Sequence, residues 1–403
     1  MAEFFNVLSL EEAQSTLKEN WPGLREEEVA LHEAEGRVLA QDVFSTEDLP
    51  PFNRSTVDGY AVLASDVHGA SEGIPAFLSL AGEVAMGVPA EVKVQPGECA
   101  WVPTGGMIPP GADAVVMVEY TEKLGSDTVL VTRPVAAGEN VMKTGEDCRQ
   151  GELVIPGGRL LRAQDIGVLA ALGWTRVKVA SRLRTGVIST GDEIVGVDQT
   201  PRYGQVRDVN THVLSAALRS WGSEVKAYGI VPDDCERLRE SICRALTGND
   251  IVFLSGGSSV GTRDLTLEVL LSFPGAKMLF HGLSVKPGKP TLAVKIDGQL
   301  VIGLPGHPVS ALMVLTVLIG DVISTRTRSR VTAVLADSVA SQAGRDDFVR
   351  VRLLANGEER PLAKPVHGKA GLIKVMSEAQ GFIHIPRRLQ GLNRGDPVTV
   401  HLF

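Results

Sequence analysis

Three short turns between residues 250 and 310 hold most of the side chains that could do chemistry. The first is Ser255-Gly256-Gly257-Ser258-Ser259-Val260-Gly261-Thr262-Arg263-Asp264, which leaves an apolar run and enters a helical pattern. N–H groups exposed in such a turn bind oxyanions, the more so at a helix N-terminus. It lacks the Gly-Lys-Ser/Thr ending of a Walker A loop and does not match GxGxxG. A phosphate cradle of Gly256, Gly257, Ser258, Ser259 and Gly261, and a plain tight strand–helix connection, are both open readings. The second turn is Lys286-Pro287-Gly288-Lys289-Pro290, where prolines restrict the backbone that carries two ammonium groups. Two lysines held close repel in the absence of an anion, which favours an anion site. The third is Gly303-Leu304-Pro305-Gly306-His307-Pro308-Val309-Ser310, with Pro308 suited to the first position of a helix.

Carboxylates recur at matching places. Asp264 follows the glycine turn near a helix start, where an aspartate also stabilises the helix dipole. Glu193, Asp233 and Asp234 follow apolar runs. If those runs are parallel neighbouring strands, the carboxylates converge on one rim. Hard oxygen ligands beside a phosphate cradle suit Mg²⁺, which keeps several waters and uses few carboxylates. Helix capping and solvated surface positions are the alternative for each. Arg350, taken alone, reads as a solvated arginine, and His281 and His307 carry no metal spacing.

The elements that must position these groups follow from pattern. The chain has 403 residues, 44% of them apolar, and a net charge of −8 without a long basic run. That predicts several domains with sizeable cores and argues against a nucleic-acid partner. Cys99, Cys148, Cys235 and Cys243 lack CxxC spacing and read as buried or inert thiols of a reducing compartment. The first residues show no signal-peptide pattern and no run is long enough to span a bilayer, so a cytoplasmic protein is expected. Ser9-Leu10-Glu11-Glu12 reads as a capping box opening a helix. Residues 25–34 read as a second helix, 37–43 as a strand, and 162–172 as a helix packing with the first ones. Between them, 76–80, 98–102, 114–118 and 128–131 read as strands of an inserted β-module. From about 180 strands alternate with helices: strand 184–189, a helix capped by Asn210, strand 227–231, a helix capped by Asp233 with Glu236, strand 251–254, helix 265–273, a hairpin across Asp297-Gly298, and a closing helix to 323. This rhythm predicts a three-layer α/β domain with a mostly parallel sheet. Strands alone follow residue 330, predicting a C-terminal β-barrel or sandwich. The expected domains are 1–45 with 147–178, 46–146, 179–327 and 328–403.

Taken together, these motifs resemble the molybdopterin molybdotransferase family, which includes bacterial molybdopterin biosynthesis enzymes and the E domain of gephyrin. The resemblance spans essentially the whole chain. It is carried by Pro50-Pro51-Phe52 through Ser55-Thr56-Val57-Asp58-Gly59-Tyr60-Ala61-Val62, by Thr190-Gly191-Asp192-Glu193, and by the three turns above. It implies a homodimer with its active site between subunits. The implied reaction joins molybdate to adenylylated molybdopterin and releases AMP with the help of Mg²⁺. It implies catalytic roles for Asp58, Thr104, Asp147, Glu193 and Asp264, and metal-binding roles for Asp264 and for Asp233 or Asp234. Lys286, Lys289, Ser310 and Arg350 fall on the molybdate-site positions, and Pro305 and Pro308 border the glycine cradle for the pterin phosphate. A molybdopterin adenylyltransferase and proteins that handle the finished cofactor are the implied partners. The chain departs from many members at His307, Ser258, Asn53-Arg54 and Ala370. A scaffold, or a molybdopterin-binding protein without turnover, is the alternative on the same fold.

Overall fold

The computed structural model describes residues 7–23, 25–256, 265–323, 328–355, 357, 360–369 and 371–403. Gly257, Ser258, Ser259, Gly261 and Asp264 of the expected phosphate and metal site, and Ala370, lie outside the described residues. The chain divides into two compact units, one of residues 30–33 and 39–177, the other of 1–29, 34–38 and 178–403.

The chain opens with α1 (Leu10–Glu19), started by the expected capping box: Ser9 Oγ accepts the Glu12 N–H, and the Glu12 carboxylate takes the Ser9 N–H. Residues 25–34 do not form a helix. Glu26–Ala30 is a strand paired with Arg176–Ala180, and Leu31–Glu33 is a single 3₁₀ turn. The run Glu26-Glu27-Glu28 supplies no apolar stripe for a helix, whereas a strand needs only alternate residues on one side.

The smaller unit is built on a six-stranded sheet. Its strands are β1 (Gly59–Val62), β2 (Ala76–Glu83), β3 (Glu98–Val102), β4 (Ala114–Met117), β5 (Thr121–Leu124) and β6 (Thr128–Val131), in the order β4-β1-β3-β2-β6-β5. Tyr60, Val62, Cys99, Val116 and Val129 share one core cluster. Burial pushes the Cys99 thiol up to about 12, so it stays protonated and inert. Cys235 and Cys243 are exposed, so burial does not account for these two of the four thiols. The helix α2 (Ala163–Ala171) belongs to this unit.

The larger unit contains the α/β domain: β7 (Arg184–Thr190), α3 (Asn210–Ser220), β8 (Glu224–Val231), α4 (Cys235–Gly248), β9 (Ile251–Ser255), α5 (Leu265–Leu271), β10 (Lys277–His281), β11 (Leu292–Ile296), β12 (Gln299–Leu304) and α6 (Pro308–Val314). The sheet order is β8-β7-β9-β12-β11-β10. The first four strands are parallel, and β12, β11 and β10 are joined antiparallel. Alternation along β9 explains the three layers. Ile251 and Phe253 pack with Leu214 and Leu218 of α3 and Val314 of α6; Val252 and Leu254 pack with Leu238 and Ile242 of α4 and Leu270 of α5. Ala13 and Leu17 place α1 in the first of these clusters, and Gln14 Nε2 donates to the Val317 carbonyl at 2.8 Å. The first helix therefore packs on the closing helix, where the sequence pointed to the helix expected at 162–172.

The chain after α6 closes a five-stranded barrel from β13 (Arg330–Leu335), β14 (Asp346–Leu354), β15 (Leu362–Pro365), β16 (Gly381–Ile385) and β17 (Pro397–Leu402), in the order β14-β15-β13-β17-β16 and back to β14. Ala333, Val351, Ala363, Ile383 and Val400 share its core. Val285–Lys286 adds a parallel strand to β14, opposite Asp346 and Asp347. No helix among the described residues is long and apolar enough to cross a membrane.

Candidate functional site

Strand order locates the first group of residues. β7 and β9 are parallel neighbours whose connections lead to helices on opposite faces of the sheet, α3 and α5; in open α/β sheets ligands bind at such a switch point. β7 ends at Thr190 and β9 at Ser255, followed by Gly256. Gly256 has φ +111°, and a Cβ there would lie 2.0 Å from the Thr190 carbonyl oxygen. Only glycine fits, and the two strand ends touch through their backbones. The Gly306 loop closes the group: a Cβ on Gly306 would lie 3.7 Å from Gly256 Cα.

The expected carboxylates surround this point with distinct tasks. Thr190 Oγ1 donates to Asp233 at 2.9 Å, and the Asp233 N–H donates to Asp192 at 3.1 Å. Asp234, not Asp233, caps α4, accepting the Arg237 N–H at 2.9 Å. Glu193 folds back over Gly191, where an added Cβ would meet its Oε2 at 2.7 Å. Asp192, Glu193, Asp233 and Asp234 are all exposed. Among the described residues no group of three or more His, Cys, Asp or Glu could hold a metal ion. Mg²⁺ needs only one or two carboxylates when phosphate and water complete its shell, and the exposed carboxylate of Asp233 fits that donor chemistry.

Asp208 and Asn210 show what sequence spacing concealed. Asp208 Oδ1 accepts the Thr211 N–H and the Ser189 hydroxyl, each at 3.0 Å. It performs the capping expected of Asn210 and leaves the Asn210 amide free for other work.

The lysine turn is held by its own backbone. Leu283 and Thr291 N–H groups both donate to the Lys289 carbonyl at 2.9 Å, and Thr291 Oγ1 donates to the Gly288 carbonyl at 2.7 Å. The Lys286–Pro287 bond is cis. Gly288 has φ +115°, and a Cβ there would meet Val314 Cγ2 at 2.0 Å, so the turn lies directly on α6. Lys286 is more than half exposed and lies 3.8 Å from Asp347, whose buried carboxylate also takes Arg345 Nε at 2.9 Å. The repulsion expected between two lysines is therefore relieved at Lys286 by an internal anion. Ser310 is buried in the first turn of α6. Arg350 is half-buried, not a solvated surface arginine. Its Nη2 donates to the Gly368 carbonyl at 3.1 Å, Nη1 is buried with no partner, and burial pulls its pKa below the usual arginine range. It lines a largely apolar cavity of about 390 Å³ with Val213, Ala217, Val309 and Met313.

The smaller unit carries its own polar pair. Asp58 Oδ1 accepts the Thr104 N–H at 2.6 Å and the Thr104 hydroxyl at 2.9 Å. The backbone bond first, then the hydroxyl, hold the Asp58 carboxyl below the usual carboxylate range. Gly59 has no alternative, since a Cβ there would lie 1.9 Å from the Val116 carbonyl oxygen. Asp147 is exposed, its N–H bonded to the Leu49 carbonyl at 3.0 Å. Thr104→Val is expected to raise the Asp58 titration midpoint yet leave it depressed, because the backbone bond survives; carboxyl-carbon NMR during an acid titration reads both. An unmoved midpoint would mean that the hydroxyl does not act on Asp58.

Comparison with known proteins agrees along the chain. Residues 8–173 match the MoeA N-terminal region (domain I and II), 186–325 the probable molybdopterin binding domain, and 332–403 the MoeA C-terminal region (domain IV). The chain is 34% identical to the putative molybdopterin biosynthesis protein MJ0666 of Methanocaldococcus jannaschii, over 93% of this chain and 92% of that protein. It is 30% identical to the molybdopterin molybdenumtransferase of Haemophilus influenzae, over 98% and 99%. The crystal structure of the molybdopterin biosynthesis moeA protein from Pyrococcus horikoshii OT3 superposes with a TM-score of 0.84 at 31% identity, covering 98% of this chain and 100% of that one. With near-whole-length relatives at 30–34% identity and the same fold, the chain belongs to the molybdopterin molybdenumtransferase (MoeA) family.

Proposed function

We propose that this protein transfers molybdenum from molybdate to adenylylated molybdopterin, releasing AMP, and that it works as a cytoplasmic homodimer with Mg²⁺. The observation that best supports this is the contact of Gly256 with the Thr190 carbonyl at the switch point, beside the Gly306 loop. With no Cβ at Gly256 or Gly306, the backbone there would meet a ligand with peptide groups, not side chains, which suits a phosphate. Pro305 and Pro308 border that loop. The stretch from Gly257 to Gly261 is proposed to continue the cradle. Asp233, with Glu193 and Asp264, is proposed to hold Mg²⁺; when bound, the ion supplies a Lewis acid for the phosphoanhydride and neutralises charge on departing AMP. Asp234 is less suited, because its carboxylate is engaged as a helix cap.

Lys286 and Lys289 are proposed to hold molybdate, a dianion with no hydrogens to donate. Ser310 and Arg350 carry the same assignment from the family pattern. Asp58, fixed by Thr104, stays ionised through neutral pH and is proposed, with Asp147, to act in the same reaction. The four-part division at 1–45 with 147–178, 46–146, 179–327 and 328–403 belongs to this reading. So does supply of the substrate by a molybdopterin adenylyltransferase.

The test combines purified protein, adenylylated molybdopterin, Mg²⁺ and molybdate, and measures AMP and active cofactor. Both products are expected, and Asp264→Asn is expected to abolish AMP release in a folded protein. Pterin binding without AMP release would support a non-catalytic binder instead. Sedimentation at micromolar concentration is expected to show a dimer, and a stable monomer would refute a site shared between subunits.

A further inference from the structure

We propose that Asn210 is a positioning residue that sets the spacing between the Gly256 turn and the Gly306 loop. Asn210 is the first residue of α3 but does not cap it, because Asp208 does. Its side chain is almost wholly buried, with the residue 5% exposed. Nδ2 donates to Ser255 Oγ and to the Gly306 carbonyl, the latter at 2.8 Å. Ser255 ends β9 directly before Gly256, and Gly306 stands two residues before Pro308, which starts α6. A single amide nitrogen thus bridges the two loops, which run close enough that a Cβ on Gly306 would lie 3.7 Å from Gly256 Cα.

The chemistry of the bridge is specific. The Gly306 carbonyl can only accept, so the amide must turn its nitrogen toward it. That leaves Oδ1 buried without a partner. An unpaired buried acceptor lowers stability, and a position shaped by packing alone would shed it. A local cost retained between two ligand-facing loops points to function. Aspartate keeps the shape but has no donor and would set a carboxylate against the Gly306 oxygen. Alanine leaves both loops without the bridge. Shifting the Gly306 loop moves the start of α6, and with it Ser310, relative to the Gly256 backbone. The inference rests on the assignment of these loops to substrate binding made above.

The test uses the full chain with Asn210→Ala, Asn210→Asp, Ser255→Ala and the double variant Asn210→Ala/Ser255→Ala. Hydrogen exchange is read without substrate, at the Ser310 and Ala311 amides that bond the His307 carbonyl. Asn210→Ala is expected to speed exchange there and leave the central strands unchanged. In turnover, kcat is expected to fall about 10- to 100-fold, as for a misplacement on the order of 1 Å. The double variant should be no slower than Asn210→Ala, because Asn210 acts partly through Ser255. Ser255→Ala removes one of the two contacts and gives a smaller rise in exchange, which decides the matter if Asn210→Ala does not fold. Unchanged exchange, a kcat loss that tracks the unfolded fraction, or additive losses from Asn210 and Ser255 would each overturn the proposal. If the unsubstituted protein releases no AMP, the functional reading fails while the exchange result still judges the bridge.

Discussion

Gly256→Ala is expected to lower stability by roughly 3 kcal/mol and to abolish turnover in whatever protein remains folded. Two independent costs meet at this position. The backbone has φ +111°, which a residue with a Cβ rarely adopts. The added atom would also lie 2.0 Å from the Thr190 carbonyl oxygen, a backbone group at the end of a buried central strand that cannot swing aside. Relief requires β7 and β9 to part at their carboxyl ends, where the proposed phosphate cradle begins. Gly298→Ala separates the two costs. Gly298 has φ +88° in the Asp297-Gly298 hairpin turn, and a Cβ there would meet nothing within 4 Å. Only the backbone cost remains, about 1 kcal/mol, and turnover should persist. Chemical denaturation of both variants, followed by AMP release at a temperature where each is folded, checks the pair. Equal losses of stability would show that the contact with Thr190 contributes nothing.

Lys286→Ala and Lys289→Ala are expected to raise the molybdate concentration for half-maximal turnover by roughly 10-fold or more each, about 1.4 kcal/mol per site. A charged contact in a desolvated site is worth ~2–5 kcal/mol. The exposure of both side chains brings the expected effect below that range. Binding of adenylylated molybdopterin should change much less. Asp347 gives the opposite sign. Its buried carboxylate lies 3.8 Å from Lys286 and competes with any incoming anion for that ammonium. Asp347→Asn should therefore lower the molybdate midpoint, at some cost in stability because Arg345 loses its partner. Sulfate, alike in charge and shape, should compete with molybdate in the unsubstituted protein. A molybdate midpoint unmoved in both lysine variants, or an equal loss of pterin binding, would assign these lysines to the pterin phosphate.

Local chemistry made part of this protein legible without coordinates. The Ser9–Glu12 capping box, the hairpin turn at Asp297-Gly298 and Pro308 at the start of α6 each depend on residues within a few positions of one another. The alternation of apolar strands and amphipathic helices after residue 180 identified three layers because one strand must bury both faces, as β9 does. The glycine turns stood out for the same reason: a position that tolerates no Cβ must be glycine whatever surrounds it. Residues 25–34 failed as a helix because three adjacent glutamates give no apolar face, and their actual partner, Arg176–Ala180, is far away in sequence.

What the sequence determined by itself, then, is where the backbone turns, caps and alternates, since those demands act between neighbours. The tertiary structure alone decided which polar groups meet. Asn210 looked like a cap, and became a bridge through partners 45 and 96 positions away. Lys286 looked like half of a repelling pair, and acquired a counter-charge from β14 through the strand that joins them. Spacing made Asp233 the cap of α4 and left open which of Asp233 and Asp234 faces the site; the end of β7 brought the Thr190 hydroxyl to Asp233, and the first turn of α4 claimed Asp234. A hydrogen bond or ion pair is directional and short, so its partner is set by how distant segments pack, and no periodicity along the chain carries that information.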